Sequence, residues 1–254
     1  MRDFNEELIN LSPVFPFEPN LIEQGTDEWH MMRLGVFTAS NAKHLLSTKR
    51  GTKSTEYGTD YVIAPPSTLG RKTYMADLVA NIAAPRIPDD IQAKPLAWGK
   101  DNEPLARDAY EALTFSNVGE LPFIYKDSAM RVGASPDGIT STGTGLELKC
   151  PWSSSVYIQF TTQDKIKHEE RHQCQFNMWV SGLDMWHVAK FDPRMINCKK
   201  LHMIEIKRDE NAMKLFDEAI LLFNAEMDLM LGQLGMKFGQ QWEYFTKLVA
   251  NKAA

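Results

Sequence analysis

The segment from Pro122 to Cys150 constrains the fold more than any other stretch of the chain. It reads as short strands separated by glycine: Phe123-Ile124-Tyr125, then residues 130–135, then Gly145-Leu146-Glu147-Leu148-Lys149-Cys150. Gly138, Gly143 and Gly145 punctuate the interval between the last two, as a hairpin requires. Helical periodicity lies on both sides. Residues 70–83 predict a helix, and Trp98–Ala112 predicts another, with Trp98, Leu105, Ala109 and Ala112 on one side. Downstream, a helix over 165–181 precedes strands at Met185–Phe191 and Leu201–Lys207. From Asp209 onward Phe216, Ile220, Phe223, Met227 and Met230 recur at helical spacing, a packing stripe. Helices alternating with strands in this order predict an α/β fold with a mixed central sheet flanked by helices.

The flanks are less regular. Residues 1–22 carry Pro13, Pro16 and Pro19 and read as an extended arm. Ser40 is placed to cap a helix containing Ala42, Leu45 and Leu46. Residues 47–69 are rich in Ser, Thr, Gly and Pro and read as a long loop, a length that usually carries function or disorder. The whole of 1–254 is expected to form one domain, with 209–254 as its C-terminal helical segment.

Composition narrows the classes of function. The N-terminus lacks the apolar run of a signal peptide, and no run of about 18 uncharged apolar residues is present to span a bilayer, so a cytoplasmic protein with no membrane partner is expected. Three widely spaced cysteines, Cys150, Cys174 and Cys198, form no CxxC pair and are expected as reduced, mostly buried thiols. A net charge of −5 argues against a surface that grips nucleic acid everywhere. Charge is nevertheless segregated: between Lys43 and Lys72 six basic residues face two acidic ones. Such a local excess suits either phosphate contact or a solvated basic loop.

The chemistry concentrates in Ser135-Pro136-Asp137-Gly138 and Gly145-Leu146-Glu147-Leu148-Lys149. On a strand Glu147 and Lys149 point to one face, while Leu146, Leu148 and Cys150 point to the other, into a core. Asp137 ends the preceding strand, Gly138 permits a sharp turn back, and a hairpin brings the two carboxylates together. Adjacent carboxylates repel unless a cation joins them, so the pair implies Mg²⁺ or, in substitution, Mn²⁺, with the Leu148 carbonyl as a further oxygen ligand. A lysine beside them orients a water for attack on a phosphodiester, and the metal neutralises the phosphate. Each short run taken alone is also an ordinary turn or an exposed strand face.

Further blocks carry a resemblance: EQGTDEWHMMRLGVFTAS (23–40), KPLAWGKDNE (94–103), IYKDSAMRVGASPDG (124–138), GLELKCP (145–151), HQCQFNMWV (172–180) and FDPRM (191–195). In this order they resemble the phage lambda exonuclease family of the Asp/Glu-x-Lys nuclease superfamily, from about Glu23 to Trp242. The resemblance implies a restriction-endonuclease-like nuclease core and a 5′-to-3′ exonuclease that degrades one strand of linear duplex DNA. It implies a homotrimeric ring around the duplex, a preference for 5′-phosphorylated ends, and a 3′ single strand passed to an annealing protein for recombination. Matched residue by residue, Asp137 and Glu147 are metal ligands and Lys149 the partner of the attacking water. Glu103 is the helical glutamate near the metal, Gln173 a glutamine near the scissile phosphate, and Asp127 a further acidic position. Arg33, Ser40 and Ser135 match a cradle for the terminal 5′-phosphate, a task suited to a guanidinium and hydroxyls. Arg50 matches a basic residue on an arm along the DNA, Lys94 a lysine facing the strand, and Leu96 an apolar wedge between separating strands. The family has an arginine after the Cys-Pro where this chain has Ser153-Ser154-Ser155, so that phosphate contact is either missing or supplied elsewhere, with Lys165 and Lys167 as the candidates. An endonuclease with the same metal site and an inactive DNA-binding recombination module remain open at this point.

Overall fold

The computed structural model describes residues 2–48, 61–87, 93–196 and 199–253. In chain order its elements are α1 (Phe4–Ile9), α2 (Asp27–Met32), β1 (Phe37–Thr38), β2 (Leu46–Thr48), β3 (Tyr61–Ile63), α3 (Leu69–Ala83), α4 (Lys94–Thr114), β4 (Val118–Gly119), β5 (Ile124–Tyr125), β6 (Val132–Ala134), β7 (Gly138–Thr140), β8 (Gly145–Lys149), α5 (Ser154–Gln163), α6 (His168–Ser181), β9 (Met185–Phe191), β10 (Leu201–Lys207), α7 (Glu210–Gln233) and α8 (Gln240–Ala253). Short 3₁₀ turns cover Pro19–Leu21 and Ala39–His44.

The principal sheet has the order β10-β9-β8-β7-β4, antiparallel except for the central β8–β9 pair. It is a mixed sheet flanked by helices, as expected. Alternation along β8 divides its side chains. Leu146 and Leu148 pack with Ala106 and Tyr110 of α4 and with Ala189 and Phe191 of β9. The opposite face meets α6, whose Cys174 and Met178 pack on Trp186 and Val188 of β9. Gly145 makes that packing possible: a Cβ there would come within 2.1 Å of the Trp186 ring. A second sheet, β1-β6-β5, joins α3, α6 and α7 around an aromatic core in which Phe37 meets Phe176 and Phe223. The stripe on α7 is core, with Phe216, Ile220, Phe223 and Met227 buried and Met230 packed against them. No helix among the described residues is long and apolar enough to cross a membrane.

Several expectations are corrected. The arm at 1–22 is not simply extended: α1 forms there, capped by the Asp3 carboxylate, which accepts from the Asn5 and Glu6 amides. Thr38, not Ser40, occupies the N-cap position of a 3₁₀ turn, and Ser40 lies exposed within that turn. Within 47–69, Tyr61–Ile63 is a strand paired with Leu46–Thr48, and residues 49–60 lie outside the described residues. The helix expected at 165–181 is α6, His168–Ser181, and a further helix that was not expected, α5, precedes it and ends at Asp164 in a left-handed conformation (φ 47°). The buried face of α4 is Asn102, Ala106 and Tyr110 rather than the Leu105–Ala112 side, because Tyr110 is anchored by a 2.7 Å hydrogen bond with His187 Nδ1.

The hairpin is also not the expected one. Residues 132–134 leave for the second sheet, and the partner of β8 is β7, with Gly138 opposite Leu146 and Ile139 opposite Gly145. Gly138 does not provide the turn. Its φ is not positive, and its need is close approach, since a Cβ would lie 2.2 Å from Val118 Cγ1. The turn itself uses Gly143 at φ 83°. Asp137 therefore sits at the crossing from one sheet to the other.

Candidate active site

Glu147 lies on the face of β8 that α6 covers and is 1% exposed, so it is no ordinary surface carboxylate. One oxygen, Oε1, pairs with Lys149 Nζ and accepts a 2.8 Å hydrogen bond from Gln173 Nε2 on α6. The other, Oε2, is buried and accepts no hydrogen bond among the described residues. A buried, unpaired carboxylate oxygen is costly unless something positive meets it.

Asp137 approaches from the end of β7. Its Oδ2 accepts a 2.6 Å bond from the Leu148 amide. In a strand a residue's amide and carbonyl point to the same side, so the Leu148 carbonyl also faces Asp137, just beyond the last β7–β8 pair. Burial first, and the neighbouring Glu147 second, push the Asp137 carboxyl up to about 8. Lys149 is held well above the usual ammonium range, its desolvation outweighed by Glu147 and Asp137.

Glu103, on α4, is raised by burial and feels Arg107, Lys149 and Glu147. Arg107, which the sequence reading passed over, bonds Glu103 at 3.0 Å, Glu120 at 2.7 Å and the Asp137 carbonyl at 3.5 Å. Its spacing four residues after Glu103 was the available signal. Among the described residues no three His, Cys, Asp or Glu side chains gather as a metal-holding group. Asp137, the Glu147 Oε2 and the Leu148 carbonyl are the oxygen donors that could hold a hard divalent cation, completed by water. Cys150 is no competitor, because burial raises its thiol to about 12.

This arrangement predicts a metal-linked stability. Folded Asp137 holds its proton more tightly than the unfolded chain does, so folding weakens as pH rises from about 4 to about 8, and raised Glu103 acts in the same direction. In chelator at pH 8, Asp137→Asn should raise Tm by about 3–6 °C, with little change near pH 4. Magnesium should then raise the Tm of the native protein but not of the variant. Superimposable calorimetric curves at pH 8 would contradict the charge crowding.

The residues matched to a 5′-phosphate cradle lie on neighbouring elements. Parallel pairing of Thr38 with Gly133 sets Ser40 and Ser135 beyond the same ends of β1 and β6. Arg33 follows α2, its guanidinium 3.8 Å over the Trp29 ring, and Trp29 Nε1 donates to Ser135 Oγ at 3.2 Å. Burial lowers Arg33 to about 10, leaving it charged at neutral pH, and no carboxylate pairs with it among the described residues. Lys94 and the 53%-exposed Leu96 open α4, about 13 Å of helix before Glu103. Arg50 lies outside the described residues. Asp127 is placed elsewhere, accepting from the Ala129 amide at 2.9 Å in the β5–β6 turn. In place of the expected arginine, Ser155 and Ser153 bond each other at 2.8 Å.

A mixed sheet presenting Asp137, the buried Glu147 and Lys149 together at a strand end, with Glu103 and Gln173 supplied by flanking helices, is a nuclease core. The chain belongs to the YqaJ-like viral recombinase domain family, which matches residues 28–184, a span holding every candidate site residue singled out above. Its fold is similar to that of an alkaline exonuclease (LHK-Exo) from Laribacter hongkongensis, with TM-score 0.67, 24% identity, and coverage of 90% of this chain and 100% of that one. The same enzyme in complex with dAMP gives TM-score 0.65 at 25% identity over the same shares. A phage related exonuclease from Haemophilus somnus gives TM-score 0.61 at 12% identity, covering 78% of this chain and 96% of that one. In sequence, Escherichia coli (strain K12) ExoD is 40% identical over 79 residues, which are 31% of this chain and 90% of that protein.

Proposed function

We propose that the chain is a Mg²⁺-dependent exonuclease that removes nucleotides from the 5′ end of one strand of duplex DNA. It leaves a 3′ single strand for recombination by annealing. The observation that carries this reading is the buried, unpaired Glu147 Oε2 on a carboxylate that crowds Asp137 electrostatically and pairs with the Lys149 ammonium. A cation held there supplies Lewis-acid neutralisation of the scissile phosphate and of the departing oxygen.

The chain's own residues do the positioning. Gln173 locks the Glu147 carboxylate in one rotation by bonding Oε1, which turns Oε2 to the site. The Leu148 amide does the same for Asp137. Lys149 Nζ donates to the attacking water, fixing its lone pair in line with phosphorus. Arg33, Ser40 and Ser135 bind the terminal 5′-phosphate, and Lys94 and Leu96 meet the strand as it separates. A net charge of −5 on a protein that handles a polyanion fits the ring-shaped homotrimer that the family resemblance implies, with basic residues gathered inside.

The test is digestion of linear duplexes bearing 5′-phosphate or 5′-hydroxyl on each strand, beside a covalently closed circle. Loss of the 5′-phosphorylated strand with an intact circle is expected, and nicking of the circle would establish an endonuclease instead. Arg33→Ala should cut the preference for phosphorylated ends by at least about tenfold, the loss of one charge-assisted fork, while slowing hydroxyl ends less. Equal loss on both ends would make Arg33 structural, through its stack on Trp29.

A further inference from the structure

We propose that Trp152 is a stacking platform for a nucleobase adjacent to the cleaved phosphodiester. The inference rests on the nuclease reading and adds a substrate contact to it. Trp152 follows Lys149 by three residues, which places it within about 11 Å of the site along the chain. Its indole is 50% exposed, whereas the other five tryptophans are buried or half-buried. An indole left in water forgoes much of the burial that makes tryptophan useful in a core.

The exposed ring is nevertheless held firmly. It makes a T-shaped contact with Trp98 of α4, the ring centroids 5.8 Å apart at 87°. Arg194 lies 4.4 Å over the Trp98 ring and donates to the Trp152 carbonyl at 3.0 Å and the Pro151 carbonyl at 3.1 Å. Arg194 is itself gripped through Nε and Nη2 by both oxygens of the fully buried Asp192, at 2.8 and 2.9 Å. The turn after the catalytic strand, the first turns of α4 and the end of β9 are thereby bolted together. A rigid, half-exposed aromatic ring therefore stands close along the chain to Lys149, against the helix end that carries exposed Lys94 and Leu96.

A nucleobase is the ligand that suits this face. Every base has a π-face, so stacking tolerates any sequence, which an enzyme advancing along DNA requires. A preordered ring also loses little freedom when a base arrives.

The experiment pairs Trp152→Ala and Trp152→Phe with duplexes in which each terminal nucleotide in turn is abasic. Binding is read with calcium in place of magnesium, cleavage in magnesium, and mass by light scattering. Trp152→Ala should weaken binding of intact DNA about tenfold, and Trp152→Phe should stay within about threefold of the native protein. With the abasic residue at the stacked position, native protein and Trp152→Ala should bind alike. Equal weakening on every substrate, or unchanged binding, overturns the proposal. A fall in mass with uniform weakening would assign Trp152 to contact between copies of the chain, also overturning it. Failure of native protein to cleave any DNA would refute the nuclease reading, while the binding arm would still decide the stacking.

Discussion

Glu147→Gln should lower kcat for phosphodiester hydrolysis by roughly 1000-fold, the scale on which transition-state charge stabilisation is lost. The amide keeps the volume of a side chain that is 1% exposed, and its oxygen still accepts from Gln173. What disappears is the anion. Lys149 loses its counter-charge, and Asp137 loses the neighbour that helps to raise its pKa. These changes oppose each other in stability, so Tm without metal should move by only about 2 °C. Stabilisation by magnesium should vanish. Binding of 5′-phosphorylated DNA should survive, because Arg33, Ser40 and Ser135 stand on other elements. Near-normal turnover of this variant in magnesium would remove Glu147 from the metal site and overturn the proposed chemistry.

Lys149→Ala should reduce the chemical step by about 100- to 1000-fold, with Lys149→Arg recovering part of it. Glu147 and Asp137 keep the ammonium protonated well beyond neutral pH, so Lys149 acts as a cationic donor throughout the working range. The native rate should therefore rise from pH 7 to pH 9 as water gives up its proton more readily, with no falling limb from Lys149 in that interval. Single-turnover rates across this range provide the measurement. A flat profile, or one that favours acid, would show that proton loss from the nucleophile does not limit the step. An alanine variant as fast as the native protein would leave Lys149 as a mere partner of Glu147.

Local pattern was sufficient wherever an element is long or strictly alternating. The strands Met185–Phe191 and Leu201–Lys207 appear at the bounds read from sequence, because a seven-residue run between turn-forming segments is long enough to declare a strand. Residues 145–149 do the same, and with them the shared orientation of Glu147 and Lys149. The stripe on α7 was equally plain. Short elements were not. Val132–Ala134 reads as a strand, but three residues cannot specify a partner, and its place beside Phe37–Thr38 depends on packing far along the chain. The capping carboxylate of Asp3 was present in the sequence, yet three prolines nearby obscured the helix it starts.

The sequence by itself singled out the residues proposed to carry the chemistry: Asp137, Glu147 and Lys149, with Glu103 and Gln173 on helices and Arg33, Ser40 and Ser135 elsewhere. Residue type and strand period are local properties, and family resemblance is a property of order along the chain. Only the tertiary structure decided that Glu147 is buried with one oxygen unpaired, that Gln173 fixes its rotation, and that Arg107 ties Glu103 to the Asp137 backbone. The same holds for the link from Asp192 through Arg194 and Trp98 to Trp152, whose members lie up to 96 positions apart, from Trp98 to Arg194. Burial and side-chain contact are set by which surfaces meet, and that depends on the packing of all the elements together.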